Sequence, residues 1–173
     1  MLDENEFLSP GGIRSLSKFH QQHPFQLQLN HTHFSIGYLP AESDNGMFGG
    51  NSNWRGPVWI PLNFLLIQTL RQRHFFYGES LQLSYPTGSG NVATLQQIAD
   101  SLAERIVAIF QPDSSGIRPV HGAGNSFYQQ PENKDLVLFY EYYNGNTASG
   151  VGASHQTGWS SLVAALLRNI SPD

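Results

Sequence analysis

The chain has 173 residues, enough for one buried core, so one domain is the default count. Only 13% of the residues are charged, 12% are aromatic and 17 are glycine, at a net charge of −4. This is not a disordered composition, and with no basic run it argues against a nucleic-acid partner. Cysteine is absent, which removes disulfides and thiolate metal sites.

The opening Met1-Leu2-Asp3-Glu4-Asn5-Glu6 is acidic and lacks the basic-then-apolar order of a signal peptide. No apolar run approaches the roughly 20 residues of a membrane span, so the chain reads as soluble and cytoplasmic, with no membrane partner. Ser9-Pro10-Gly11-Gly12 marks a turn, and Ile13, Leu16 and Phe19 predict a short helix after it. Alternation of Phe25, Leu27 and Leu29 with Phe34, Ile36 and Tyr38, about Asn30-His31-Thr32, predicts a hairpin over residues 25–39. His20, His23, His31 and His33 invite a metal reading. A structural zinc needs four ligands and no second cluster is in sight, so they read as solvated turn histidines.

Residues 40–56 form a polar, glycine-rich loop in which Glu42 and Asp44 either bind hydroxyls or keep the surface soluble. Its end runs Phe48-Gly49-Gly50-Asn51-Ser52-Asn53-Trp54-Arg55-Gly56-Pro57-Val58-Trp59. Glycine permits close approaches here, and Pro57 suits the first position of a helix. One reading is a helix entry with a buried tryptophan. The other is a polyol site: aromatic faces pack on axial sugar hydrogens, while amides and a guanidinium serve the hydroxyls.

Residues 57–73 predict a helix with apolar groups on nearly every side, which asks for cover all round and hints at missing neighbours. A polar loop follows over 78–90. Residues 91–110 then show 3.6-residue spacing at Leu95, Ile98, Leu102, Ile106 and Ile109, with Gln97, Asp100, Glu104 and Arg105 facing out. Residues 111–157 are almost aperiodic, as an ordered functional loop would be. Within them Phe139-Tyr140-Glu141-Tyr142-Tyr143 wedges a carboxylate among aromatic rings. Partial desolvation there would strengthen Glu141 as a base; the plainer reading is an exposed glutamate on an aromatic strand. His155 either caps the last helix or lines a site, and that helix is predicted over 158–170. No nucleophile elbow and no phosphate loop is present. Periodicity alone gives a mainly α protein with long loops and one small β-hairpin, compatible with concentric helical layers.

Three ordered motifs carry a resemblance. Asn53-Trp54-Arg55-Gly56-Pro57-Val58-Trp59, then Phe139-Tyr140-Glu141, then Gly158-Trp159-Ser160-Ser161-Leu162 resemble glycoside hydrolase family 63, which includes the processing α-glucosidases and mannosylglycerate hydrolase-like enzymes. Leu2-Asp3-Glu4-Asn5-Glu6-Phe7-Leu8-Ser9-Pro10 with Gly12-Ile13-Arg14-Ser15-Leu16 resembles the bacterial branch. The resemblance implies an (α/α)6 barrel of twelve helices in two rings, and hydrolysis of α-linked sugars with inversion. It places the general base at Glu141 and the sugar subsite at Trp54, Arg55 and Trp59. Asn53, Gly56, Tyr142, His155 and Trp159 complete the expected substrate-binding set.

The family's acid, an aspartate, lies upstream of the tryptophan motif, and nothing in residues 1–53 matches that segment. Residues 1–173 are therefore expected to be a single partial catalytic domain, the C-terminal third of the barrel. Such a piece would be inactive alone, need no cofactor or metal, and pair with the upstream part of the barrel and an oligosaccharide or glucoside. The competing expectation is a non-catalytic carbohydrate-binding or scaffold module derived from a glycosidase.

Overall fold

A computed structural model of the chain describes residues 1–46 and 52–170. Phe48, Gly49, Gly50 and Asn51 of the glycine-rich stretch lie outside the described residues. None of the described helices is long and apolar enough to cross a membrane.

Helix α2 (Leu95–Ala108) is the centre of the fold and packs against both α1 (Ile60–Tyr77) and α4 (Val163–Ile170). It begins where Thr94 and Gln97 form a reciprocal capping box, which satisfies two amides that the helix itself leaves without partners. Ile98, Leu102 and Ile106, one turn apart, are fully buried, and Ile109 and Phe110 carry the core past its end. Gln97 and Glu104 face water, as the spacing predicts. Asp100 and Arg105 lie at the edge, paired with Arg71 and Glu4.

Helix α1 starts later than expected. Pro57 leads into an extended residue, Val58, and the first helical turn instead holds Pro61. The helix runs on to Tyr77 and stops at Gly78, whose φ of +57° a side chain resists. Only Ile60, Asn63 and Ile67 are buried along it. Leu62 and Leu65 are 48% and 61% exposed, so the cover that an all-round apolar helix asks for is not supplied by the described residues.

The helix expected through Ile13 is replaced by two short strands, β1 (Leu8–Ser9) and β2 (Gly12–Ile13), and by a 3-10 turn over Lys18–Gln21. The cause is Asn63 of α1. Its Oδ1 accepts from Ile13 N–H at 2.7 Å and its Nδ2 donates to Ile13 C=O at 3.0 Å, holding that backbone extended. The expected hairpin is present as β3 (Phe25–Leu29) and β4 (Thr32–Ile36). Asn30 and His31 both take positive φ, as a two-residue turn between twisted strands requires. Its apolar side chains Phe25, Leu27, Leu29 and Phe34 are exposed.

The loop over 78–90 contains half of a further strand pair, β5 (Gln82–Ser84) with β6 (Val92–Thr94), and β6 leads straight into α2. The last helix is two pieces, α3 (Thr157–Ser160) and α4, parted at Ser161 and Leu162. The buried Ser160 hydroxyl donates to the Tyr140 carbonyl and ties α3 to the backbone 20 residues earlier. β7 (Tyr142–Tyr143) and β8 (Gly150–Val151) complete the elements and lie beside the site.

Candidate functional site

Three segments far apart in sequence meet at Val58. Its N–H donates to Tyr143 C=O at 2.8 Å and its C=O accepts from Tyr143 N–H at 2.9 Å; on its other side it bridges to Arg14. Arg14 is buried and fans its donors over the surrounding backbone. Nε reaches Gly145 O at 2.9 Å and the Tyr38 hydroxyl at 3.2 Å, while Nη1 reaches Glu4 O, Glu6 O and Leu8 O at 3.3, 3.1 and 2.5 Å. One guanidinium thus joins the N-terminal segment to the loop after β7. Gly56, at φ +150°, passes so close that a Cβ would sit 2.6 Å from Leu39 O.

This junction sets Trp59 beside Tyr142. Trp54 stacks on Trp59 at 3.9 Å between centroids and 5° between planes, and Trp59 stacks on Tyr142 at 4.8 Å. Trp159 meets Trp59 edge-on at 6.2 Å. The result is a three-ring stack with a fourth ring at its flank. Trp59 and Tyr142 are buried inside it, Trp54 is half-buried and Trp159 exposed. Trp54 and Trp159 are thus the rings with accessible surface; Trp59 and Tyr142 back them. Stacked aromatics of this kind gain about 0.5–1.5 kcal/mol per pair beyond burial.

Glu141 lies in the same place. Its N–H donates to Ala153 O at 2.8 Å, and its half-buried carboxylate accepts from Ser52 Oγ at 2.9 Å, two residues before Trp54. The glutamate and the tryptophan turn therefore touch across 89 positions of chain. Gly152 makes room for this: at φ +75°, a Cβ would stand 2.8 Å from Tyr142 Cε1 and 3.0 Å from Glu141 Oε2. Gly152→Ala is expected to cost about 1–2 kcal/mol from backbone conformation alone. It should also push Glu141 off Ser52, so a lower urea midpoint together with reduced sugar binding is the expected outcome. An unchanged midpoint would contradict it.

The Tyr142 phenol is held well above its usual pKa, first by burial, then by the charge and hydrogen bond of Glu42 and by the charge of Glu141. A raised phenol pKa keeps the proton on, so Tyr142 acts as a neutral donor, at 3.2 Å from Glu42 Oε2.

The polar groups of the turn face inward. Asn53 is buried; its Nδ2 donates to Leu39 O and Ala41 O at 2.9 and 2.6 Å, and its Oδ1 accepts from Arg55 N–H at 3.0 Å. Arg55 is 3% exposed and its Nη2 donates to Ser43 Oγ and Asp44 Oδ1 at 3.0 and 2.7 Å. Both side chains hold the loop over 39–44 in place. His155 is exposed, its backbone paired beside Phe139, two residues away from the pairing of Glu141 with Ala153. Reading the sequence missed the parts played by Ser52, Gly152 and Arg14. Arg14 had one signal, its place in the Gly12-Ile13-Arg14-Ser15-Leu16 motif; Gly152 had none. Among the described residues no three histidines or carboxylates gather as a metal site would need.

No family model matches the chain. It is 46% identical over 172 residues to an uncharacterized protein of Saccharomyces cerevisiae, covering 98% of this chain and 16% of that protein. It is 28% identical over 166 residues to a probable mannosyl-oligosaccharide glucosidase of Schizosaccharomyces pombe, covering 95% of this chain and 14% of the relative. It is 26% identical over 132 residues to a mannosyl-oligosaccharide glucosidase of Saccharomyces cerevisiae, covering 76% of this chain and 13% of the relative. The chain thus spans 13–16% of the length of these curated relatives. The two glucosidases give it glycosidase ancestry. All three relatives are fungal, so they lend no support to the bacterial branch expected from residues 2–16.

Proposed function

We propose that this chain is the part of an inverting α-glucosidase-like glycoside hydrolase that carries the general base and one aromatic wall of the sugar subsite. The observation that carries the reading is the contact of Glu141 with Ser52, on the same turn as the Trp54 ring. A glucoside laid on Trp54 would pack its axial hydrogens on the indole while its anomeric carbon faces Glu141. Glu141 then takes a proton from water as that water's oxygen attacks the anomeric carbon from the face opposite the leaving oxygen. A second carboxyl group, about 6.5–9.5 Å from the base in inverting enzymes, protonates the leaving oxygen. That acid belongs to a segment outside these 173 residues, and α1 is an inner-ring helix of a partial (α/α)6 barrel. The exposed Leu62 and Leu65, and the much greater length of the relatives, support this placement.

The test is turnover of an α-linked glucose disaccharide, with the released sugar followed by proton NMR before it mutarotates. The chain alone is expected to be inactive; joined to its upstream segment it should release β-glucose first. First release of α-glucose would overturn the water-activating role of Glu141. Robust hydrolysis by the chain alone would overturn the missing acid. Tight binding without turnover in either form would give a carbohydrate-binding module instead.

A further inference from the structure

The loop over residues 39–44 is built into the site, and not merely draped over it. Three buried side chains of the aromatic wall fasten it: Asn53 to Leu39 and Ala41, Arg55 to Ser43 and Asp44, and Tyr142 to Glu42. A loop kept only for solubility needs no such anchoring, since buried polar groups without partners cost more than exposed ones. Here the buried donors hold two exposed carboxylates at the rim.

Those carboxylates differ. Asp44 is neutralised by the Arg55 guanidinium at 2.7 Å. Glu42 receives only a neutral phenol, through one oxygen, and its other oxygen accepts from no described residue. Among the described residues no cation pairs with it. Glu42 also lies close to Glu141. The Tyr142 hydroxyl touches Glu42, while its Cε1 and the Glu141 carboxylate crowd the same point at Gly152. The two glutamates are thus separated by no more than one phenol and its contacts.

We propose that Glu42 is the specificity-determining residue of this sugar site, accepting hydrogen bonds from the hydroxyls of a glucoside lying on Trp54. This rests on the reading of the site given above. An ionised carboxylate forms short, strong bonds to hydroxyl donors. A site arranged to meet a hydroxyl also favours it over a sugar lacking that hydroxyl, because the acceptor held in place by Tyr142 then loses its partner. Tyr142 is a positioning residue for it: the phenol sets the Glu42 rotamer without cancelling its charge.

The experiment compares wild type, Glu42→Gln, Tyr142→Phe and Glu141→Gln in the protein that contains this chain and its upstream segment. The probes are an α-linked glucose disaccharide and its monodeoxy analogues. Glu42→Gln is expected to raise KM about tenfold or more while kcat stays within about threefold. That penalty should vanish for one deoxy analogue only, the one missing the recognised hydroxyl. Tyr142→Phe keeps the ring stack and should raise KM in the same selective pattern by a smaller factor. A KM within twofold of wild type overturns the proposal, as does a penalty equal for every analogue, which marks a structural role. Glu141→Gln separates the two ideas. Full activity in that variant, with the selective Glu42 pattern intact, removes the base assignment and leaves Glu42 a binding residue. Loss of activity in Glu141→Gln, with Glu42→Gln indifferent, removes Glu42 alone.

Discussion

Replacing Glu141 with glutamine is expected to lower kcat by about 10² or more in a protein completed with its acid, leaving KM nearly unchanged. The substitution is close to isosteric, and the amide oxygen still accepts from Ser52 Oγ, so the contact that places the side chain survives. Tyr142 keeps its stack on Trp59 and its bond to Glu42, so the sugar wall should stand. What is lost is the ability to take a proton from water at the moment of attack. Steady-state kinetics with thermal melts alongside separates the cases. A rate unchanged in a folded variant would remove Glu141 from the chemistry. A collapse of both melting temperature and KM would make it a structural group.

Arg14→Ala is expected to cost about 3 kcal/mol or more of stability, because a buried guanidinium making five hydrogen bonds is deleted and several of its partners are stranded at about 1–3 kcal/mol each. Four carbonyl groups, those of Glu4, Glu6, Leu8 and Gly145, lose a charged donor together, and the Tyr38 hydroxyl loses another. These groups sit on segments far apart in sequence, so the loss should be cooperative. Lysine should rescue little, because one ammonium cannot reproduce a planar fork that serves two directions at once. Urea denaturation reads the effect; a loss under about 1 kcal/mol, as typical of exposed pairs, would show that the bonds are not what joins these segments.

Helical periodicity was enough to place α2, whose outward and inward faces the structure reproduces, and alternation was enough for the β3–β4 hairpin. Both depend on local pattern. What local pattern could not carry is where a side chain's partner lies. Asn63, inside a helix read as apolar on nearly every side, reaches back 50 positions to hold Ile13 extended, and the expected N-terminal helix gives way. The end helix breaks after Ser160, whose hydroxyl bonds a carbonyl 20 residues earlier, and its 3.6-residue spacing encodes neither.

The site shows the same division. Composition and motif drew attention to Trp54, Trp59, Tyr142 and Glu141, and the structure gathers them. The direction of Asn53 and Arg55 was not legible: both residue types suit a sugar, yet here they face a loop of their own chain. Burial of Arg55 becomes visible only once Ser43 and Asp44 are seen to cover it. The apolar surplus of α1 was legible as an excess, and its exposed Leu62 and Leu65 are that excess in place.

The assignment of Glu141 is tested most directly by azide rescue of Glu141→Ala in a form whose wild type is active. Shortening the side chain vacates the position of the base, and azide needs no deprotonation to attack the anomeric carbon. Azide should restore turnover and yield the β-glucosyl azide. A folded variant that still binds the disaccharide but gains nothing from azide would contradict the placement of the base.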